Sequence, residues 1–277
     1  MRLLIAVDGS DRSDVAIEDL TRAGLPRKAD AVIVAIGVLS RKSAENAGLA
    51  RAVQSLRKSF PGWIIHIEAG VTMNRASLVA KAEAWQPDLI VTGALRTPIV
   101  ARLFGGTFCE YILHHANRSV RVGRRSPNAT NKPPRLLIGV GGAAPSLAAV
   151  TLVASRHWPR GTKAFVVGAV DAMLWQAGVG EQISYDHVRN VIVSAVNRAA
   201  ETLQEAGLSV GTDVGDAIPA DLILMRAREW HADCIFVGTR NLGSVGRALL
   251  GSTSSRVFAT ARCSVEVVHN EPDSVGG

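Results

Sequence analysis

Arg2-Leu-Leu-Ile-Ala-Val7 begins the chain, and Arg135-Leu-Leu-Ile-Gly-Val140 repeats it 133 residues later. Each is a short apolar run without alternation, the pattern of a strand covered on both faces. Working outward, Ser13 falls on Ser146 at the same offset. From Gly70 and Gly215 onward the offset becomes 145 residues. It pairs Trp85 with Trp230, Asp88-Leu-Ile-Val-Thr-Gly93 with Asp233-Cys-Ile-Phe-Val-Gly238, Gly106-Thr107 with Gly251-Ser252, and Ser119-Val120 with Ser264-Val265. The change of offset is an insertion of 12 residues in the second half, placed by the surrounding pattern in Asp171–Asp186. Self-similarity over this length means a duplicated structural unit.

Between the copies runs Arg124-Arg-Ser-Pro-Asn-Ala-Thr-Asn-Lys-Pro-Pro134, with three prolines, two asparagines and no apolar period. It reads as a linker. The expected organisation is a domain over 1–123, a linker over 124–133 and a second domain over 134–277. In each copy apolar runs alternate with helical spacing. In the first, strands are expected over Leu3–Val7, Ala31–Leu39, Trp63–Glu68, Leu89–Thr92 and Ser119–Val122, with helices over Arg12–Gly24, Ala44–Phe60, Arg75–Trp85 and Phe108–Ala116. Such alternation predicts an α/β fold with a parallel sheet and helices on both faces. Ligands of such sheets bind beyond the carboxyl ends of the strands, where strand order reverses.

With 47% apolar and 20% charged residues the chain can build packed cores, which excludes a disordered or low-complexity protein. No apolar run reaches the ~18 to 20 residues of a membrane span, and Met1–Val7 is too short for a signal peptide. Three cysteines, Cys109, Cys234 and Cys263, are far apart and form no CxxC pair, which argues against a disulfide framework or a zinc site. A cytoplasmic protein is expected. The net charge is +7, and residues 111–170 hold nine basic groups and no acid. That bias suits either an anionic partner or a solvated hinge. Nucleic-acid platforms interleave aromatics with basic groups, and here only Tyr111, Trp158 and Phe165 are scattered through the segment, which argues against nucleic acid.

The chemistry concentrates after the fourth strand of each copy. Gly93-Ala-Leu-Arg96 leads to Gly106-Thr107, and Gly238-Thr-Arg-Asn241 leads to Gly251-Ser252-Thr253. A glycine at a strand end admits close backbone approach. A Gly-Ser/Thr pair at a helix start offers free N–H groups and a hydroxyl, which suit phosphate.

These features together resemble the universal stress protein family, twice over and across nearly the whole chain. The opening Val7-Asp-Gly-Ser10, the distal Gly-Ser/Thr motifs and the closing strands Arg118-Ser-Val-Arg-Val122 and Cys263-Ser-Val-Glu-Val-Val268 carry the resemblance. It implies two Rossmann-like domains, each with a five-stranded parallel sheet of order 3-2-1-4-5, a role in stress response or signalling, and ATP binding in one branch. It also implies that Asp8 meets ribose or Mg²⁺ and that backbone near Gly37 or Ala169 meets adenine. The copies depart from the pattern differently. Gly141 stands where the first copy has Asp8. The middle glycine of the distal motif is Arg96 in one and Asn241 in the other; Asn tolerates left-handed backbone, whereas Arg96 can offer its guanidinium to phosphate. Phosphate binding is therefore expected in the second half, through Gly238, Asn241, Gly251, Ser252 and Thr253. Two alternatives stand: a slow nucleotide hydrolase using Asp8 as a metal ligand, and an adaptor whose sites have decayed. The Val-rich closing strands predict an intramolecular pseudo-dimer of the halves. A homodimer and an unidentified signalling partner are further expectations.

Other motifs carry less. Gly139-Val-Gly-Gly-Ala-Ala144 fits a dinucleotide fingerprint but has no acid about 20 residues on. Gly207-Leu-Ser-Val-Gly211 fits a nucleophile elbow, but it enters a strand instead of leaving one. Trp85 and Trp230 read as helix-to-sheet anchors, His66 and Cys234 as packed strand residues, and Met225 as a core methionine.

Overall fold

The computed structural model describes residues 1–36, 42–94, 108–128, 131–142, 144–171, 184–239 and 251–269. They form two compact units, one of Met1–Arg125 and one beginning at Ser126. The first runs β1 (Arg2–Val7), α1 (Asp11–Leu20), β2 (Asp30–Ile36), α2 (Lys42–Ser59), β3 (Ile64–Met73), α3 (Arg75–Trp85), β4 (Leu89–Gly93), α4 (Phe108–His115) and β5 (Ser119–Gly123). The second runs β6 (Arg135–Val140), α5 (Ala144–Ser155), β7 (Lys163–Val170), α6 (Tyr185–Glu205), β8 (Ser209–Asp216), α7 (Pro219–Glu229), β9 (Cys234–Gly238), α8 (Ser252–Thr260) and β10 (Ser264–Val268). Neighbouring strands pair in parallel in the order β3-β2-β1-β4-β5 in the first unit. In the second they pair as β8-β7-β6-β9-β10. The five-stranded order expected from the resemblance is the observed one in both units.

The apolar runs explain the layering. Leu3, Ile5 and Val7 of β1 pack with Ile17 and Leu20 of α1 and Leu49, Val53 and Leu56 of α2. Leu4 and Ala6, pointing to the opposite face, are as deeply buried. The second unit has its own core, in which Ile138, Val166 and Phe236 meet Val153, Val196 and Leu203. Removing a side chain such as Leu20 or Leu203 would cost ~2 to 5 kcal/mol.

Each unit ties its first strand with the same aspartate. Asp88 Oδ2 accepts from the Arg2 amide and Asp233 Oδ2 from the Arg135 amide, both at 2.7 Å. Each helix before those aspartates is followed by a non-glycine residue in the left-handed region, Gln86 at φ 53° and His231 at φ 52°. Trp230 stacks on Phe165 of β7 and lies under the Arg135 guanidinium, so it does anchor a helix to the sheet. Ser126 and Asn128, in the expected linker, both donate to Asp233 Oδ1, which holds that stretch to the second unit.

The sheets also bury charge. On β5, Arg121 donates through Nε to Asp19 of α1 at 2.7 Å, both being buried. On β10, Glu266 sits at the repeat position of Arg121 and accepts from Arg156 at the end of α5. The pair recurs with its polarity reversed. Arg121, Arg135 and Arg156 all belong to the acid-free segment, so part of its charge is committed inside the fold.

Two expectations of packing fail. β3 has one flank without a neighbour in its sheet, and His66 is exposed together with Ile64 and Ile67. Met225 is 42% exposed on α7 instead of buried. In both cases the apolar residue marks an outer element whose far side nothing covers among the described residues. The fingerprint glycine Gly139 has a packing reason: a Cβ there would lie 2.7 Å from Ile223 Cδ1. Ser209 begins β8, so the elbow geometry is absent.

Candidate functional site

In both units the crevice of interest lies at the carboxyl edge, above the first strand and the strand that would follow it after the order reverses. In the first unit these are β1 and β4, which end beside each other with Ala6 opposite Thr92. Asp8 follows β1 and Gly93 ends β4, so the structure brings these two site candidates to one edge. Arg96, Gly106 and Thr107 lie outside the described residues, as does Gly37.

The turn after β1 is built around the Asp8 carboxylate. Ser10 donates to Oδ1 with its amide at 3.0 Å and its hydroxyl at 2.6 Å, and Ser13 adds its hydroxyl at 2.5 Å. The Asp8 amide donates back to Ser13 Oγ at 3.0 Å. Hydrogen bonds to an ionised acceptor are the stronger kind, so the carboxylate closes the turn that starts α1. Gly9 follows in the left-handed region at φ 74°. A Cβ on Gly48 of α2 would fall 2.2 Å from the Gly9 Cα, so the backbone of α2 lies directly on this turn. Arg51 fastens it there by donating to the Gly9 carbonyl at 3.0 Å. Gly93 serves the same packing: a Cβ would lie 2.6 Å from the Arg12 carbonyl oxygen. Arg12 in turn donates to the Ala94 carbonyl at 2.7 Å.

The second unit closes the equivalent turn differently. Ser146, the repeat partner of Ser13, donates to the Gly141 carbonyl at 2.6 Å. Among the described residues nothing stands within 4 Å of where a Gly141 Cβ would be. Helix α6 covers the next residue instead, with Val191 Cγ1 at 2.7 Å from the Cβ position of Gly142. Gly238 ends β9 opposite Val268 of β10. Ala169 is half-buried near the end of β7, opposite Gly215. Gly251 is the N-cap of α8, with no side-chain cap and no acidic residue in the first turn. Ser252 is exposed and Thr253 half-buried. Because β9 and β10 are parallel, the connecting helix starts near the carboxyl edge, so these residues share that edge with Gly141 and Ala169. Asn241 lies outside the described residues, as do 172–183, nearly all of the expected insertion.

Sequence reasoning missed the serines. Ser13 and Ser146 were visible as a repeated pair, which is the signal that the two turns are held by one hydroxyl position. It also missed Tyr185, at the start of α6, whose hydroxyl donates to Asp216 Oδ1 at the end of β8. That hydrogen bond holds the phenol above its ordinary range, with burial and the Asp216 charge adding in the same direction. Among the described residues no three His, Cys, Asp or Glu side chains gather as a metal site. Among them too, no helix is long and apolar enough to cross a membrane.

With this geometry in hand, the likenesses to known proteins are consistent. Residues 134–269 match the universal stress protein family. A universal stress protein of Mycolicibacterium smegmatis is 32% identical over 144 residues, covering 49% of this chain and 48% of that protein. One of Thermus aquaticus is 41% identical over 78 residues, covering 26% of this chain and 57% of that protein. The chain thus spans about half the length of these curated relatives. Among solved structures, a universal stress protein from Archaeoglobus fulgidus matches over 98% of both chains with a TM-score of 0.67, at 16% identity, a likeness of fold.

Proposed function

The chain belongs to the universal stress protein family, and from that premise we propose that it is an ATP-binding module of stress response or signalling whose second half holds the nucleotide. One observation carries the reading. The space above Gly141 is open among the described residues, whereas α2 lies on the matching turn at Gly9. The first-turn amides of α8, with the hydroxyls of Ser252 and Thr253, have the chemistry to receive phosphate. Gly238, Asn241 and Gly251 would shape the loop, and backbone at Ala169 would face adenine. In the first half Asp8 serves its own turn, and Arg96, Gly106 and Thr107 are the remnant of the same loop. With glycine at 141, Mg²⁺ arrives with the nucleotide and is held chiefly by the phosphates. The protein acts by binding and not by turnover. The bound chain signals to a further protein.

Calorimetric titration of ATP into the full chain tests this. Gly251→Val should weaken affinity ~10-fold or more, because a branched Cβ would stand where backbone meets phosphate. Asp8→Ala and chelation of magnesium should leave it nearly unchanged. Loss of binding on either of those two treatments would move the site to the first half. Absence of saturable binding in the unaltered chain would favour the adaptor.

A further inference from the structure

The turn that leads into β3 carries charge and apolar surface that its own closure does not use. Phe60 and Trp63 stack across it with ring centroids 3.9 Å apart. Trp63, which is buried, donates through Nε1 to the Pro26 carbonyl at 2.9 Å. A Cβ on Gly62 would lie 2.5 Å from the Arg27 carbonyl oxygen and 3.9 Å from Lys28 Cγ, so the turn rests directly on the segment before β2. Ile64 then opens β3 opposite Asp30 of β2. These contacts bring two Arg-Lys pairs to one edge of the first unit, Arg27-Lys28 before β2 and Arg57-Lys58 in the last turn of α2. All four side chains are exposed, and none has an ion-pair partner among the described residues. Across residues 26–30 and 57–64 the sequence sets a single carboxylate, Asp30, against these four cations. Apolar surface stands among them. Ile64 is 60% exposed, more than any other large apolar side chain among the described residues, and Phe60 is half-buried.

The second unit builds the same turn without these features. Gly207 stands at the repeat place of Gly62, and buried Leu208 at that of Trp63. Glu205 replaces Phe60, Ser209 replaces Ile64 and Gly161 replaces Lys28. Arg160 keeps the place of Arg27, Lys163 takes that of Asp30, and the last turn of α6 holds no basic residue. The fold therefore requires neither the paired cations nor the exposed isoleucine.

The chemistry of the patch narrows what covers it. Single-stranded nucleic acid needs open ring faces for its bases, and the half-buried Phe60 ring already stacks on Trp63. The exposed turn offers no recess for a partner's side chain. An anionic membrane surface uses both features: its headgroups attract cations within a Debye length, and an aliphatic side chain enters the boundary beneath them. We propose that this edge of the first unit docks on an anionic lipid surface, with Arg27, Lys28, Arg57 and Lys58 at the headgroups and Ile64 entering the interface. This inference is independent of nucleotide binding.

Cosedimentation of the full chain with vesicles tests it, equimolar phosphatidylserine and phosphatidylcholine against phosphatidylcholine alone. The chain should pellet with the first and stay in solution with the second, and added salt should release it. Lys28→Glu/Lys58→Glu should weaken binding ~10-fold or more, and Ile64→Ser should weaken it several-fold. The matched reversal Arg198→Glu/Arg228→Glu, at exposed positions of α6 and α7, should leave it nearly unchanged. Unchanged thermal melting shows that each variant remains folded. No pelleting with the anionic vesicles would overturn the proposal, as would equal pelleting with both kinds. Equal losses in the two double variants would show attraction by net charge alone and overturn it, and so would binding indifferent to Ile64→Ser. Retention of a single-stranded oligonucleotide that Lys28→Glu/Lys58→Glu abolishes, with no lipid binding, would assign the patch to nucleic acid and also overturn it.

Discussion

The turns after β1 and β6 hold the same place in their sheets and close by opposite means. In the first, the Ser13 hydroxyl meets the Asp8 side chain, and the carboxylate gathers its donors from the turn itself. In the second, Ser146 meets a backbone carbonyl, and Gly141 leaves the space above it open among the described residues. The aspartate that follows the first strand has a structural task of its own, holding the turn closed. The buried ion pairs teach the same lesson about position and polarity. Arg121 and Glu266 occupy one repeat position with opposite charges, and each finds its counter-ion on the first helix of its own unit or the residue just after it. What the fold requires there is a satisfied charge, of either sign.

The largest expected effect comes from breaking that symmetry. Asp19→Ala removes the carboxylate that faces buried Arg121, and breaking a buried ion pair from one side costs ~3 to 5 kcal/mol. Thermal denaturation should register the loss, and the double change Asp19→Ala/Arg121→Met should restore most of it. If the single change were as stable as the double one, the pair would not be the constraint described above.

A smaller effect sharpens the contrast between the turns. Gly141→Val sets its Cβ in space where no described atom lies within 4 Å, so stability should stay within ~0.5 kcal/mol. On the proposed reading, affinity for ATP should nevertheless fall ~10-fold, since the new methyl groups would stand in the proposed approach of the nucleotide. Unaltered calorimetry would place any nucleotide elsewhere.

The mildest concerns the rim of the second unit. Hydrogen bonding to Asp216 raises the Tyr185 pKa, so the stability this contact adds is complete below the ordinary phenol value of ~10. It is lost as pH rises through the higher native value. Phenolate absorbance in a Tyr111→Phe background should show a titration above the ordinary range that returns to ~10 in Asp216→Asn. An equal midpoint in both proteins would break the assignment.

The fold was legible because its signals are repeated and physical. Two apolar runs at β1 and β6, the glycines ending β4 and β9, and the aspartates before them reveal a duplicated parallel sheet, whose strand order the family resemblance supplied. The errors were confined to faces. Apolar residues at Ile64, Ile67 and Met225 obey the same period as core residues, and period alone does not say whether anything packs on the far side. At the site, the sequence identified Asp8 and Gly141 as the telling difference but did not reveal that the carboxylate also gathers its own turn. Its bonds to Ser10 and Ser13 depend on the curl of a three-residue turn, which composition does not encode. That α2 lies on Gly9 follows from helix placement over 39 residues of separation, beyond the reach of local pattern.

The aspartates that tie the first strands also order events during synthesis. The Arg2 amide waits for Asp88, 86 residues later, and the Arg135 amide waits for Asp233, 98 residues later. At ~5 to 20 residues per second, each delay lasts on the order of 4 to 20 seconds. Through that interval β1 can pair with β2, but its other edge stays open until β4 emerges, and the same holds for β6 and β9. The central strand of each half, buried along nearly its whole length, is therefore the first of its five to leave the ribosome and among the last to be enclosed. The nascent chain exposes a sticky edge twice, and any holding chaperone that attends this protein has two separate windows in which to act.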